Sequence, residues 1–241
     1  MELIDGLLLI IVGIGAGFVQ RVSGFGLGIF AMLFLPHFMP SHTASATIVG
    51  ICSMVTSSYN AVKYRKDIPY KTVLPLLLAA IVSIPPAVYF SSNVPKEIFE
   101  ILLGAVLVLL SVYFLFFNKA IKIKASILNG AISGTLSGIL NGLFSTGGPP
   151  AVLYMTHATA ANAAYFAGIQ FYFGLTNVYA TGMRVISGLV TSDILLMSLV
   201  GLFGCLIGDF LGKGVFDKLD GEMLKRIIYI GMIISGVVMI I

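Results

Sequence analysis

Two glycine-rich stretches gather the residues best suited to holding a small ion. The first, QRVSGFGLG at Gln20–Gly28, places an amide, a guanidinium and a hydroxyl (Gln20, Arg21 and Ser23) just before Gly24 and Gly26. The second, NGLFSTGGPP at Asn141–Pro150, places Asn141 shortly before Ser145 and Thr146, which lead into Gly147, Gly148 and Pro149. Glycine lets backbone N–H groups turn toward a ligand and approach it closely. Proline is favoured in the first turn of a helix. A helix starting beside Gly148 therefore aims free N–H groups and its positive dipole end at the break, with Ser145 or Thr146 as cap. Arg21 is a cation beside an apolar run, costly there unless it meets a carboxylate, carbonyls or a bound anion. A small oxyanion suits both stretches; the alternative for Arg21 is to snorkel to the membrane surface.

Other polar residues have two readings each. Tyr59, Asn60, Gln170, Tyr172 and Asn177 either line a polar cavity or bond neighbouring helices. Asp209 is a proton relay, a counter-ion to Arg21, or a partner for Lys213 at i+4. His37, His42 and His157 fall at the ends of short or broken segments and read as interfacial rather than as metal ligands; neither a metal nor a cofactor is expected. Cys52 and Cys205 lie in apolar stretches without CxxC spacing and read as packing residues. The chain has no GxSxG elbow, HExxH pair, P-loop or dinucleotide fingerprint, which argues against an enzyme. Ser23 beside a histidine is the remaining enzymatic reading, an intramembrane hydrolase, but nothing in the sequence positions the base.

The elements that must carry these residues follow from composition. Of 241 residues, 58% are hydrophobic and 10% charged, more apolar surface than a soluble domain of this size can hide. The class is an all-α polytopic membrane protein, multi-pass, with no cleaved signal peptide expected. Six apolar runs are long enough to cross: 43–62, 72–90, 97–117, 163–182, 194–212 and 227–241. The runs beside the breaks are 4–19, 24–38, 125–142 and 149–156. Segments 4–19 and 24–38 would be about 22–24 Å long and 149–156 about 12 Å, against a hydrocarbon core of about 30 Å. Broken, re-entrant helices fit them. Irregular backbone is tolerated at membrane depth only where protein or a water-filled cavity satisfies it, so the breaks mark the substrate site.

A shift of 121 residues brings Gly17 onto Gly138, Gln20 onto Asn141, Gly26 onto Gly147 and Lys63 onto Arg184. This predicts two repeats, 1–120 and 121–241, forming one membrane domain. The net charge of +4 resides mainly in three loops, at 63–71, 118–124 and 213–226, which reads as topology rather than as nucleic-acid binding. If each broken region enters and leaves on one side, these loops put 11 of the 14 Lys and Arg residues inside. Lys96 and Arg184 then fall outside, and Arg21 lies in the membrane. Each half holds one re-entrant hairpin and three full spans, so the halves have inverted topology, both termini lie outside, and the tips meet near the midplane.

These residues carry a family resemblance. The region at Gly13–Gly28, its counterpart at Ser137–Pro150 and the two similar halves resemble the TauE/SafE family of sulfite and organosulfur anion exporters over essentially the whole length. The resemblance implies a plasma-membrane permease for small sulfur-containing or carboxylate anions, with its site at the two glycine-rich segments. The expected activity is secondary transport by alternating access. Arg21 neutralises the anion, Ser145–Gly148 and the adjoining helix supply N–H donors, and Gln20 and Asn141 orient the ligand. Alternatives are an anion channel, a carboxylate transporter, a divalent-metal permease and an intramembrane enzyme. The partners are a small anion and the lipid bilayer, with a homo-oligomer left open.

Overall fold

A computed structural model of the chain describes residues 3–117 and 124–215, and beyond them only positions 230, 233, 236, 237 and 240. Among the described residues there are helices and turns but no strand. The helices are α1 (Leu3–Ser23), α2 (Leu27–Phe34, continued by a 3-10 turn at Leu35–His37), α3 (His42–Lys63), α4 (Tyr70–Asn93) and α5 (Lys96–Val112). They continue with α6 (Ile127–Phe144), α7 (Gly148–Ala158), α8 (Asn162–Ile186) and α9 (Ser192–Val215). Advanced by 121, α3 becomes 163–184 and α4 becomes 191–214, close to α8 and α9. Likewise α2 with its turn, 27–37, becomes 148–158, the span of α7. Packing follows the same offset: α1 lies against α9, α6 against α4, and α3 against α8 at the centre.

Small residues set these pairings, because lipid supplies no hydrophobic drive between helices and close van der Waals contact must replace it. Gly17 lies against the backbone of Cys205, and Gly208 against that of Ile14. Gly138 holds the same place on α4, where a methyl group would come 2.8 Å from Ala80 Cα. A larger residue at any of these positions would push two helices apart.

Helix lengths differ from the expectation in an instructive way. Four helices are long and apolar enough to cross a bilayer: Ile4–Ser23, Tyr70–Asn93, Ile127–Phe144 and Ser192–Lys213. The arm preceding the first break is thus longer than expected, because α1 stays helical through Gln20 and Arg21 to Ser23. At 21 and 18 residues, α1 and α6 are about 31 and 27 Å long. The helices α3 and α8, expected as ordinary apolar spans, are long enough at 22 and 25 residues but more polar. They sit at the centre, wrapped by apolar helices, and bury Ser53, Thr56, Ser57, Asn60, Gln170, Thr176 and Asn177. Hydropathy averages every face of a helix, and these two turn their polar residues inward. The expected span 227–241 and the basic residues Lys119, Lys122, Lys218, Lys225 and Arg226 lie outside the continuously described segments.

Two smaller expectations also change. His42 is buried rather than interfacial: it stacks on Phe99 at 5.4 Å, and its Nε2 lies 3.1 Å from a Glu100 carboxylate oxygen. Arg184, expected in an outer loop, is buried. Cys52 and Cys205 are free and buried, and line a small apolar cavity between α1, α2, α3 and α9, in keeping with a packing role.

Candidate functional site

The first break is short. Helix α1 ends at Ser23, where Gly24 and Gly26 take the left-handed region at φ +79° and +99°, a conformation that disfavours a Cβ. Gly26 then serves as N-cap of α2 with no side-chain cap. Ser23 turns its hydroxyl back onto the carbonyls of Val19, at 2.7 Å, and Phe25. Gln20 points inward: its Nε2 donates to Ser57 Oγ at 3.0 Å and to Gln170 Oε1 at 3.4 Å, and its Oε1 accepts from Thr56 at 3.2 Å. Gln170 in turn donates to the Gly24 carbonyl at 2.8 Å. Both side-chain amides are fully engaged.

The second break reaches a similar shape by other means. Ser145 takes the left-handed conformation at φ +54°, and its N–H donates to Asn141 O at 2.9 Å. Its hydroxyl leaves the break and donates to Ala46 O on α3 at 2.7 Å. Neither Ser145 nor Thr146 caps α7; Gly147 is the N-cap, with no side-chain bond. Tyr172 braces the turn through Ser137, donating at 2.7 Å, while Ser137 donates to Gly147 O. Asn141 Nδ2 and Thr146 Oγ1 are buried without partners.

The two breaks meet. A methyl group on Gly28 would strike the Ser145 carbonyl, and residues of both breaks line one cavity: Gln20 and Phe25–Ile29 from the first, and Asn141 and Ser145–Gly148 from the second. Ser53, Phe173 and Asn177 close it from α3 and α8. The space open to the centre of a water molecule is about 20 Å³, room for about one water. An oxyanion would need the cavity to widen. The start of α2 and the start of α7 both border it, so two positive helix ends face one small volume. Pro149 and Pro150 carry no N–H, which leaves Gly148 and Ala151 as donors in the first turn of α7; in α2, Leu27, Gly28 and Ile29 keep theirs. Asn177 donates to Ser53 Oγ at 3.1 Å and to Phe173 O at 2.9 Å, while its Oδ1 is an unpartnered acceptor.

Of the residues singled out from the sequence, Gln20, Gly26, Asn141, Ser145, Thr146, Gly147, Gly148 and Asn177 come together around this cavity. Gln170 and Tyr172 stand behind it, and Gly24 and Ser23 shape the turn without lining it. Pro149 is buried in the first turn of α7, and Asn60 lies two turns beyond Ser53 on α3. Arg21 does not line the cavity. One residue along a helix is a rotation of about 100°, so with Gln20 inward, Arg21 faces α8 and α9, its guanidinium 5.9 Å above the Phe166 ring and its stem against Gly212. Asp209 is half-buried on α9 and, among the described residues, pairs with neither Arg21 nor Lys213. No cluster of three metal-ligating side chains occurs among the described residues.

Two contributors escaped the sequence reading. The start of α2 was not recognised as a donor end, although Gly26 immediately before an unbroken apolar run was the available signal. Arg184, 1% exposed, donates through Nη2 to Asn141 O and Gly142 O at 3.0 Å each, and its Nη1 has no partner. The charge-based topology placed it outside the membrane, and its match under the 121-residue shift, Lys63, does lie exposed, near the Tyr59 and Tyr64 rings.

Apolar helices wrapped around two polar ones, with a cavity where two helices are interrupted, make up a helical membrane protein with a polar site at its centre. The sequence agrees with a particular kind: the chain belongs to the TauE/SafE family, whose model, described as sulfite exporter TauE/SafE, matches residues 9–239. That family comprises membrane transporters, not enzymes. No curated protein and no solved structure matches the chain.

Proposed function

We propose that this protein is a secondary transporter of the plasma membrane for a small sulfur-containing oxyanion such as sulfite, thiosulfate or an organosulfonate. The single observation that carries the reading is the cavity bordered by the starts of α2 and α7 and by the unpartnered Asn141 Nδ2 and Thr146 Oγ1. Donors dominate its lining, as an anion requires. The free Asn177 Oδ1 adds one acceptor, which suits a protonated oxyanion or the ammonium end of an aminosulfonate. In the conformation described the cavity is too small for such a ligand, which supports a cycle in which the halves rock and the site widens toward one side at a time.

The matching order and packing of elements under a shift of 121 supports two repeats, 1–120 and 121–241, of inverted topology, with α1–α2 and α6–α7 as re-entrant hairpins and both termini outside. Cysteines placed at the N-terminus and at Lys66 should react with an impermeant thiol reagent from opposite sides; labelling from one side overturns that topology. The transport reading is tested in proteoliposomes with radiolabelled sulfite, thiosulfate, taurine and a small carboxylate. Saturable uptake with counterflow of a sulfur oxyanion is the expected outcome. Unitary currents without counterflow would replace the carrier by a channel, and preference for the carboxylate would change the substrate class.

A further inference from the structure

Arg184 is the one fully buried cation among the described residues. Among the described residues it forms no ion pair: the pairs there are His42–Glu100 and Lys96–Glu100. Its Nη2 lies on the last turn of α6, at Asn141 O and Gly142 O. Its Nη1 reaches α3 beside the second break, since a methyl group on Gly50 would lie 2.8 Å from Nη1 and 3.0 Å from Ser145 Oγ. Thr181 Oγ1, also unpartnered, is 3.8 Å from the same point.

Capping alone does not account for a guanidinium here. The left-handed Ser145 already closes the end of α6, with Ser145 N on Asn141 O at 2.9 Å and Thr146 N on Leu140 O at 3.4 Å. A polar neutral side chain would satisfy the remaining carbonyl of Gly142. The distinctive contribution of arginine is a charge that does not leave at any physiological pH. Two negative helix ends, those of α1 and α6, border the cavity, and that of α6 is worth about half an elementary charge. Arg184 offsets it and leaves a positive remainder beside the starts of α2 and α7. At the first break no residue does this, because Lys63 is exposed and Arg21 lies over Phe166.

We infer that Arg184 is the positioning residue that supplies the fixed positive charge of the anion site, acting through the end of α6 rather than by touching the ligand. The inference rests on the oxyanion reading and makes it more specific, because a charge acting through space favours a divalent anion over a monovalent one. The test compares KM for thiosulfate, a dianion, with KM for methanesulfonate, a monoanion, in proteoliposomes of the full chain. Arg184→Gln keeps an amide donor for the carbonyls and removes the charge. It should raise the thiosulfate KM about tenfold more than the methanesulfonate KM, while Arg184→Lys should keep the wild-type ratio. Equal changes for both anions, or none, would reduce Arg184 to a structural cap and overturn the inference.

Arg184→His serves if the glutamine variant does not fold. The thiosulfate-to-methanesulfonate KM ratio should then rise with pH as the imidazole loses its proton, with no such rise in the wild type; a flat ratio rejects the charge role. Wild-type protein that carries neither anion would show a different failure, that of the oxyanion reading itself.

Discussion

At the first break Thr56, Ser57 and Gln170 each bond the Gln20 amide, Gln170 donates to the Gly24 carbonyl, and Ser23 donates to the Val19 carbonyl. At the second, Asn141 Nδ2, Thr146 Oγ1 and Arg184 Nη1 are buried with nothing to bond. An unmet buried donor costs about 1–3 kcal/mol, so the second break carries a burden that the first does not. The difference divides the labour. The first break is a finished joint that holds α1, α3 and α8 together, while the second is the side of the cavity that a ligand would complete. Residues matched by a shift of 121 therefore differ in their bonding: the Gln20 amide is engaged, whereas Asn141 Nδ2 has no partner.

Four substitutions test this contrast. Gly28→Val drives a branched side chain into the Ser145 carbonyl, where the breaks touch. Overpacking of that kind costs about 1–3 kcal/mol, occasionally more. Transport should be lost and thermal unfolding in detergent should come at a clearly lower temperature; wild-type behaviour would mean the breaks do not share a contact. Gln20→Leu removes the hub of the first network and should cost about 1–3 kcal/mol of stability with little change in KM. A raised KM at unchanged stability would make the first break a ligand site as well.

Thr146→Val tests the other side. Removing an unpartnered hydroxyl should leave stability unchanged or slightly improved. KM should rise about five- to tenfold, the equivalent of a hydrogen bond worth about 1–1.5 kcal/mol. The reverse pattern, lost stability at constant KM, would cancel the contrast. The smallest effect is expected for Arg21→Ala, which loses a cation–π contact worth about 0.5–1 kcal/mol and should leave transport within about twofold of wild type. Abolished transport would restore the cation to the first break.

Much of the fold was legible. Apolar runs separated by charge and proline located every described helix to within a few residues, except that α1 continues past Gln20 and Arg21. Local helix propensity carries the chain past the first polar residues to Gly24, the first glycine with a positive φ, whereas apolar content alone ends at Val19. The glycine-rich segments were legible as breaks because so few residues tolerate their backbone conformations. Arg184 was not legible: a basic residue near a helix end reads as a loop residue, and nothing along the chain says that its stem runs inward to carbonyls 43 residues earlier.

Composition and spacing by themselves determined that the chain is a bundle of membrane helices, that two of its apolar runs are interrupted, that the interruptions recur at one offset, and to which family it belongs. These are properties of single segments, governed by hydropathy, by glycine and proline stereochemistry and by helical period. Only the tertiary structure decided which polar groups meet: Gln20 with Gln170, 150 residues away, Gly28 with Ser145, and Arg184 with the end of α6. Helical period fixes which side chains share a face, but what that face meets depends on how the helices pack. Here small residues set the packing, bringing α1 onto α9 and α4 onto α6, with α3 and α8 packed together at the centre.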